Sequence, residues 1–175
     1  MPSVAMSLHL PASGDTELLG AALAQALPVA SGSALGSGLV LYLHGELGAG
    51  KTTCVRSLLR ALGVTGLVRS PTYTLVETYA TPALTCVHID LFRLADESEA
   101  EGLGLRDLAV PGSLLMVEWP EKGGAAVPRP DVGLHLSYEG HARGARLCPF
   151  TGRGERWVRH LGDDTRLTPY VSNIT

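Results

Sequence analysis

Lysine is nearly absent from this chain: of 14 basic residues only Lys51 and Lys122 are lysines. Arginine stands wherever a plain positive charge suffices, which singles out the two positions where lysine is kept. Paired cysteines are missing as well. Cys54, Cys86 and Cys148 lie far apart and form no C-x-x-C, which argues against a disulfide framework or a zinc site and leaves them as small buried hydrophobes in a reducing cytosol. No apolar run approaches the ~18 residues of a membrane span, and the first ten residues lack a basic segment followed by a long apolar one. A soluble, cytoplasmic protein with no membrane attachment is expected. Excess positive charge is the last absence. A net charge of −3 and a pI near 6.0 argue against a broad surface that neutralises nucleic-acid phosphates, so any RNA connection is expected through a partner. What remains is 175 residues, 45 % hydrophobic, enough for one α/β domain with a good core and too few for two of ordinary size.

One of the two lysines sits in a motif. Gly45-Glu46-Leu47-Gly48-Ala49-Gly50-Lys51-Thr52 satisfies G-x-x-x-x-G-K-[ST], after the apolar run Leu39-Val40-Leu41-Tyr42-Leu43 and before a helix-like stretch from Val55 to Leu62. The strand delivers the loop, the glycines allow backbone angles that a side chain would forbid, and the N–H groups opening the helix converge on one anion. Lys51 would contact the outer phosphates and the Thr52 hydroxyl would ligate Mg²⁺. A compact ammonium enters such a loop where a planar guanidinium is too large, which explains why lysine survives here. Neither lysine lies in an Asn-Lys-x-Asp motif, so guanine specificity is excluded and adenine, or weak base selectivity, is left.

Along the chain, residues 4–10 read as a short strand, and Ser13 as the N-cap of a helix running to Leu27. Residues 31–38 read as a flexible connector, residues 72–79 as an extended stretch opened by Pro71, and residues 84–91 as a buried strand. An acidic helix is expected at 97–103, and a further apolar run ends at Glu118. Residues 131–138 alternate cleanly and should pair with 145–150 as an antiparallel partner. The organisation expected is a single domain over residues 1–162, with a polar C-terminal tail at 163–175 that frays.

Phosphate chemistry needs an acid at the end of a buried strand to hold the Mg²⁺ shell, and two candidates are present. Asp90 ends Cys86-Val87-His88-Ile89, and Glu118 ends Leu114-Leu115-Met116-Val117. The pattern does not say which of them holds metal and which orients water. Ser70-Pro71-Thr72-Tyr73-Thr74 places hydroxyls where nucleotide switches sense a terminal phosphate, or else simply satisfies local backbone groups. His44 and His88 flank the site in sequence, but a lone histidine in an apolar strand is more often core than base. The arginines from Arg143 to Arg159 read as a solvated face, with a docking surface as the competing reading.

Taken together, His44 to Thr53, Ser70 to Glu77, His88-Ile89-Asp90-Leu91-Phe92-Arg93-Leu94, Gly104-Leu105-Arg106-Asp107 and Val117-Glu118-Trp119-Pro120 resemble the TsaE (YjeE) family, in order from about Thr16 to about Arg146. The resemblance implies a P-loop NTPase-like central sheet flanked by helices, with an antiparallel C-terminal portion. It also implies ATP or ADP with Mg²⁺, slow hydrolysis, and assembly with TsaB and TsaD in threonylcarbamoyladenosine modification of tRNA, the tRNA being engaged only through the complex. By position, Gly45 to Thr53 resemble the nucleotide cradle with Lys51 as its catalytic cation, Thr52, Glu118 and Asp90 the metal site, and Thr72 the switch. Trp119 resembles the tryptophan near the nucleotide, and Thr16, Glu121 and His141 lie where the family approaches base and ribose. From residues alone, two other readings stay open: a small-molecule kinase, whose lid would have to fall in residues 123–130 where only Arg129 is available, and a nucleotide-gated binding module.

Overall fold

The computed structural model describes residues 5–28 and 38–174, so the connector expected at 31–38 lies outside the described residues except for Gly38. The strands are β1 (Met6–Leu10), β2 (Leu39–His44), β3 (Val76–Ala80), β4 (Thr85–Asp90), β5 (Ser113–Glu118), β6 (Val132–Glu139), β7 (Ala142–Pro149) and β8 (Val171–Ile174). The helices are α1 (Ser13–Gln25), α2 (Lys51–Ala61), α3 (Glu97–Gly102) and α4 (Gly152–Gly162). The eight strands form one sheet in the order β3-β4-β5-β2-β6-β7-β1-β8. Strands β4, β5, β2 and β6 are mutually parallel, and β3, β7, β1 and β8 join antiparallel at the two sides.

The parallel strands are apolar on both faces because both faces are covered. Leu39, Leu41, Leu43, Cys86, Leu114 and Met116 point into one core with Leu19 and Leu23 of α1, Leu58 and Leu59 of α2, and Trp157 and Leu161 of α4. The intervening Val40, Val87, Ile89, Leu115 and Val117 point into a second core with Ala100 of α3, Leu105 and Ala126. In α4 the buried positions fall at helical spacing, so Arg156 and Arg159 lie on its solvent side, as a solvated face requires.

Three local expectations are corrected. The N-cap of α1 is Ala12, one residue before Ser13, and its backbone N–H donates to the Asp15 carboxylate at 2.7 Å. Residues 72–74 form a turn closed by Leu75 N–H donating to Pro71 O at 2.6 Å, and strand pairing begins only at Val76. The segment beyond Leu161 does not end in fraying chain: Leu167 is buried and β8 pairs with β1. No helix among the described residues is long and apolar enough to cross a membrane.

One buried acid ties the start of the parallel sheet to α4. Asp131 accepts from Val40 N–H at 3.0 Å, from the Thr151 hydroxyl, and from Arg153 Nη2 at 3.1 Å to each oxygen. Thr151 in turn caps α4 through Gly154 N–H at 3.1 Å. Asp131→Ala leaves these donors without their acceptor, and should cost about 3 kcal/mol in chemical denaturation, while Arg153→Ala, at a half-buried position, should cost less. A loss below about 0.5 kcal/mol for Asp131→Ala would show that the network does not hold the fold.

Candidate functional site

The loop after β2 turns on glycines whose backbone no side chain would tolerate. Gly45 has φ 144°, and a Cβ there would stand 2.4 Å from the Leu136 carbonyl oxygen; Gly50 caps α2 at φ 107°. The first N–H groups of α2 have no partner within the helix, which makes the loop an anion cradle. Lys51, 4 % exposed, lies inside it: Nζ donates to Gly45 O at 2.6 Å and Glu46 O at 2.9 Å, and sits 4.3 Å from the centre of the Trp119 ring. Burial lowers the lysine pKa, and the nearby Glu118, Asp90 and Glu121 carboxylates oppose that shift.

The two strand-end acids arrive together because β4 and β5 are parallel and in register, with Asp90 beside Glu118. Both are buried. Glu118 Oε1 accepts from the Thr52 hydroxyl at 2.8 Å and lies 2.8 Å from His88 Nε2. Asp90 accepts from the Ser70 hydroxyl at 2.8 Å, the Thr72 hydroxyl at 3.0 Å and Phe92 N–H at 3.0 Å. Of the two possibilities for the Ser70 segment, the structure therefore brings Ser70 and Thr72 onto an acid of the site. Lys51, Thr52, Thr72, Asp90, Glu118 and Trp119 all border one cavity of about 430 Å³.

A second cavity, of about 200 Å³, opens on the other side of the loop and shares Gly48, Gly50 and Thr53 with the first. Thr16, Ala49 and His141 line it, together with Arg143. Glu121 lines neither cavity; its carboxylate lies 3.3 Å from His44 Nδ1. Leu47 is 70 % exposed at the loop tip, where its carbonyl accepts from the Tyr138 hydroxyl at 2.9 Å. Residues 123–130, weighed as a kinase lid, pack Ala126 and Val127 into the second core.

Several contributors to the site are not singled out by the sequence. Tyr138 tethers the loop tip from β6, a contact without a local signal. Arg93 lines the larger cavity while stacked at 4.2 Å on the exposed Tyr73. His88, weighed as a core residue, is indeed fully buried but also touches Glu118. A signal for it existed, since His88 and Asp90 are two apart in a strand and must share a face.

A cation in an anion cradle beside two carboxylates and a hydroxyl suits a polyphosphate with its counter-ion. Among the described residues no three or more His, Cys, Asp or Glu side chains are grouped to hold a metal by themselves. Oxygen donors of this number fit Mg²⁺, which keeps several waters and is bound through one or two carboxylates plus substrate phosphates.

A family model described as threonylcarbamoyl adenosine biosynthesis protein TsaE matches residues 10–146. The chain is 43 % identical over 120 residues to the tRNA threonylcarbamoyladenosine biosynthesis protein TsaE of Haemophilus influenzae, covering 69 % of this chain and 76 % of that one. It is 35 % identical over 120 residues to the protein of the same name from Bacillus subtilis, covering 69 % and 73 %. The crystal structure of Bacillus subtilis YdiB superimposes with a TM-score of 0.70 over 91 % of this chain and 96 % of that chain at 22 % identity, a likeness of fold. The motif resemblance is thus borne out, and the chain belongs to the TsaE family, whose members are involved in tRNA threonylcarbamoyladenosine biosynthesis.

Proposed function

We propose that this protein binds ATP with Mg²⁺, hydrolyses it slowly to ADP and phosphate, and acts in the cytoplasm with TsaB and TsaD in threonylcarbamoyladenosine modification of tRNA. The observation that carries the ATPase reading is the convergence on one cavity of the Lys51 loop, the Thr52–Glu118 pair and the Asp90–Thr72 pair. Lys51 exchanges its two loop carbonyls for phosphate oxygens. Thr52, Glu118 and Asp90 hold the Mg²⁺ shell, which neutralises charge on the phosphates. Asp90 also ties Ser70 and Thr72 to the site, so this segment reports whether a terminal phosphate is present. The smaller cavity, with Thr16, Thr53 and His141, takes adenine and ribose, whereas Glu121, 3.3 Å from His44 Nδ1, lies outside both cavities.

Slow turnover follows from what the cavity contains. Among the described residues Arg93 is its one arginine, and it lies exposed, stacked on Tyr73. A partner that covers this rim would complete the site. The acidic net charge of −3 supports tRNA engagement by the complex and not by this chain alone.

Lys51→Ala removes a charge-assisted contact worth about 2 kcal/mol or more, so ATP affinity should fall at least ~30-fold by calorimetry. Wild-type affinity and turnover in this variant would sink the phosphate-loop assignment. Glu118→Gln is nearly isosteric but cannot supply negative charge, and phosphate release should drop roughly 10- to 100-fold with nucleotide binding largely kept. Unchanged turnover at saturating Mg²⁺ would move the metal role to Asp90, which Asp90→Asn tests directly. Phosphate release should rise when TsaB and TsaD are added, while tRNA binding by the isolated protein stays weak and strongly salt-dependent. Fast unaided hydrolysis, or tight salt-resistant tRNA binding, would refute the partner-dependent reading; phosphate transfer to an acceptor without free phosphate would point to a kinase instead.

A further inference from the structure

His88 is fully buried in the apolar interior of β4, and its Nδ1 has no hydrogen-bond partner among the described residues. An imidazole in that position loses the solvation of one nitrogen and gains nothing from packing that leucine would not supply. What it adds is a single interaction, the 2.8 Å contact from Nε2 to Glu118 Oε1. Toward a carboxylate, which only accepts, Nε2 is the donor of this contact. The register explains the reach: His88 is level with Met116, Asp90 with Glu118, and His88 crosses diagonally to the acid on the same face.

We propose that His88 is a positioning residue that fixes the Glu118 carboxylate from the core side and thereby sets the Mg²⁺ affinity of the nucleotide complex. The inference rests on the MgATP reading of this site. Both hydrogen bonds to Glu118 land on Oε1, one from Thr52 and one from His88, and Oε2 has none among the described residues. A Thr52 hydroxyl that gives a lone pair to a cation keeps its O–H for Glu118, but that donor then moves with the metal. His88 is the donor that holds the carboxylate from the core side whether or not a cation is bound. Such outer-shell donors raise metal affinity by restricting the ligand before the metal arrives.

The test uses the full chain, with ADP and Mg²⁺ as probes and calorimetric ADP affinity as the readout, measured in EDTA and across a Mg²⁺ titration. His88→Leu should raise the Mg²⁺ midpoint about tenfold and leave ADP affinity in EDTA within about twofold of wild type. His88→Gln places an amide nitrogen where Nε2 stood and should restore most of the midpoint; His88→Asn, one bond shorter, should not. Because both of these variants are polar, their comparison decides the matter even if His88→Leu fails to fold. In the Glu118→Gln background His88→Leu should have no further effect on the midpoint, as befits a residue acting through Glu118. A wild-type midpoint in His88→Leu, an equal loss with and without Mg²⁺, equal behaviour of the Gln and Asn variants, or additive losses in the double variant would each overturn the proposal while leaving nucleotide binding intact. Absence of ADP binding by the wild-type chain would instead overturn the nucleotide reading, and this inference with it.

Discussion

Asp90 and Glu118 lie side by side at the ends of β4 and β5, each only 3 % exposed. Two carboxylates brought this close and this far from water repel each other and are poorly solvated, so the fold has to surround them with donors and positive charge. Each element nearby answers that demand. Helix α2 presents its N-terminal dipole, Lys51 and the Thr52 hydroxyl; the turn before β3 presents Ser70 and Thr72; β4 presents His88. The parallel register that produces the crowding also directs it, because parallel strands open their C-terminal ends to one side of the sheet, where ligands of open α/β folds bind. The Mg²⁺ of the proposed nucleotide complex would add positive charge at this same place.

The antiparallel half of the sheet contributes in a different way. Strands β6 and β7 extend past the loop as a hairpin, and the turn between them carries His141 to the smaller cavity. Tyr138, near the end of β6, holds the Leu47 carbonyl at the loop tip, and Arg143 stacks on its ring at 4.1 Å. One side of the loop is therefore set by buried acids of the parallel strands, and the other by an exposed aromatic tether. In the proposed complex a phosphate would meet the first, and a base in the smaller cavity would meet His141 and Arg143 beside the second, so both halves of the sheet would bear on one ligand.

Features that depend on neighbours in the chain were legible before the fold was known. The phosphate loop needs its glycines and lysine within eight residues, and a strand-end acid announces itself by the apolar run before it, so Lys51, Thr52, Asp90 and Glu118 could all be named. Features that depend on distant partners were not legible. The final strand β8 looks like polar tail until β1 offers an open edge, and Asp131 looks like a loop acid until Val40, Thr151 and Arg153 meet on it. The Ser13 assignment was off by one residue, because the helix already begins at Ser13 and the Asp15 carboxylate reaches back to the N–H of Ala12 ahead of it. His88 shows both limits at once: its burial could be inferred from the strand, but its partner required the register between β4 and β5.

The scarcity of lysine finds its physical explanation at Trp119. This bulky residue adopts φ 57° and ψ 46°, a left-handed conformation that costs energy for any side chain with a Cβ. It turns the chain sharply at the end of β5 and sets the indole over the Lys51 ammonium, with Phe92 packed against it at 5.1 Å. Among the described residues Lys51 forms no ion pair within 4.0 Å, although two carboxylates share its cavity. A direct pair with Glu118 would neutralise both groups and would have to be broken before phosphate could bind. Two carbonyls and a ring face hold the charge more loosely, and a flexible, compact ammonium can leave them for phosphate oxygens without moving the loop. Guanidinium, with its fixed fork, could not occupy the space between the loop carbonyls and the indole, so the strained tryptophan and the retained lysine are two parts of one arrangement.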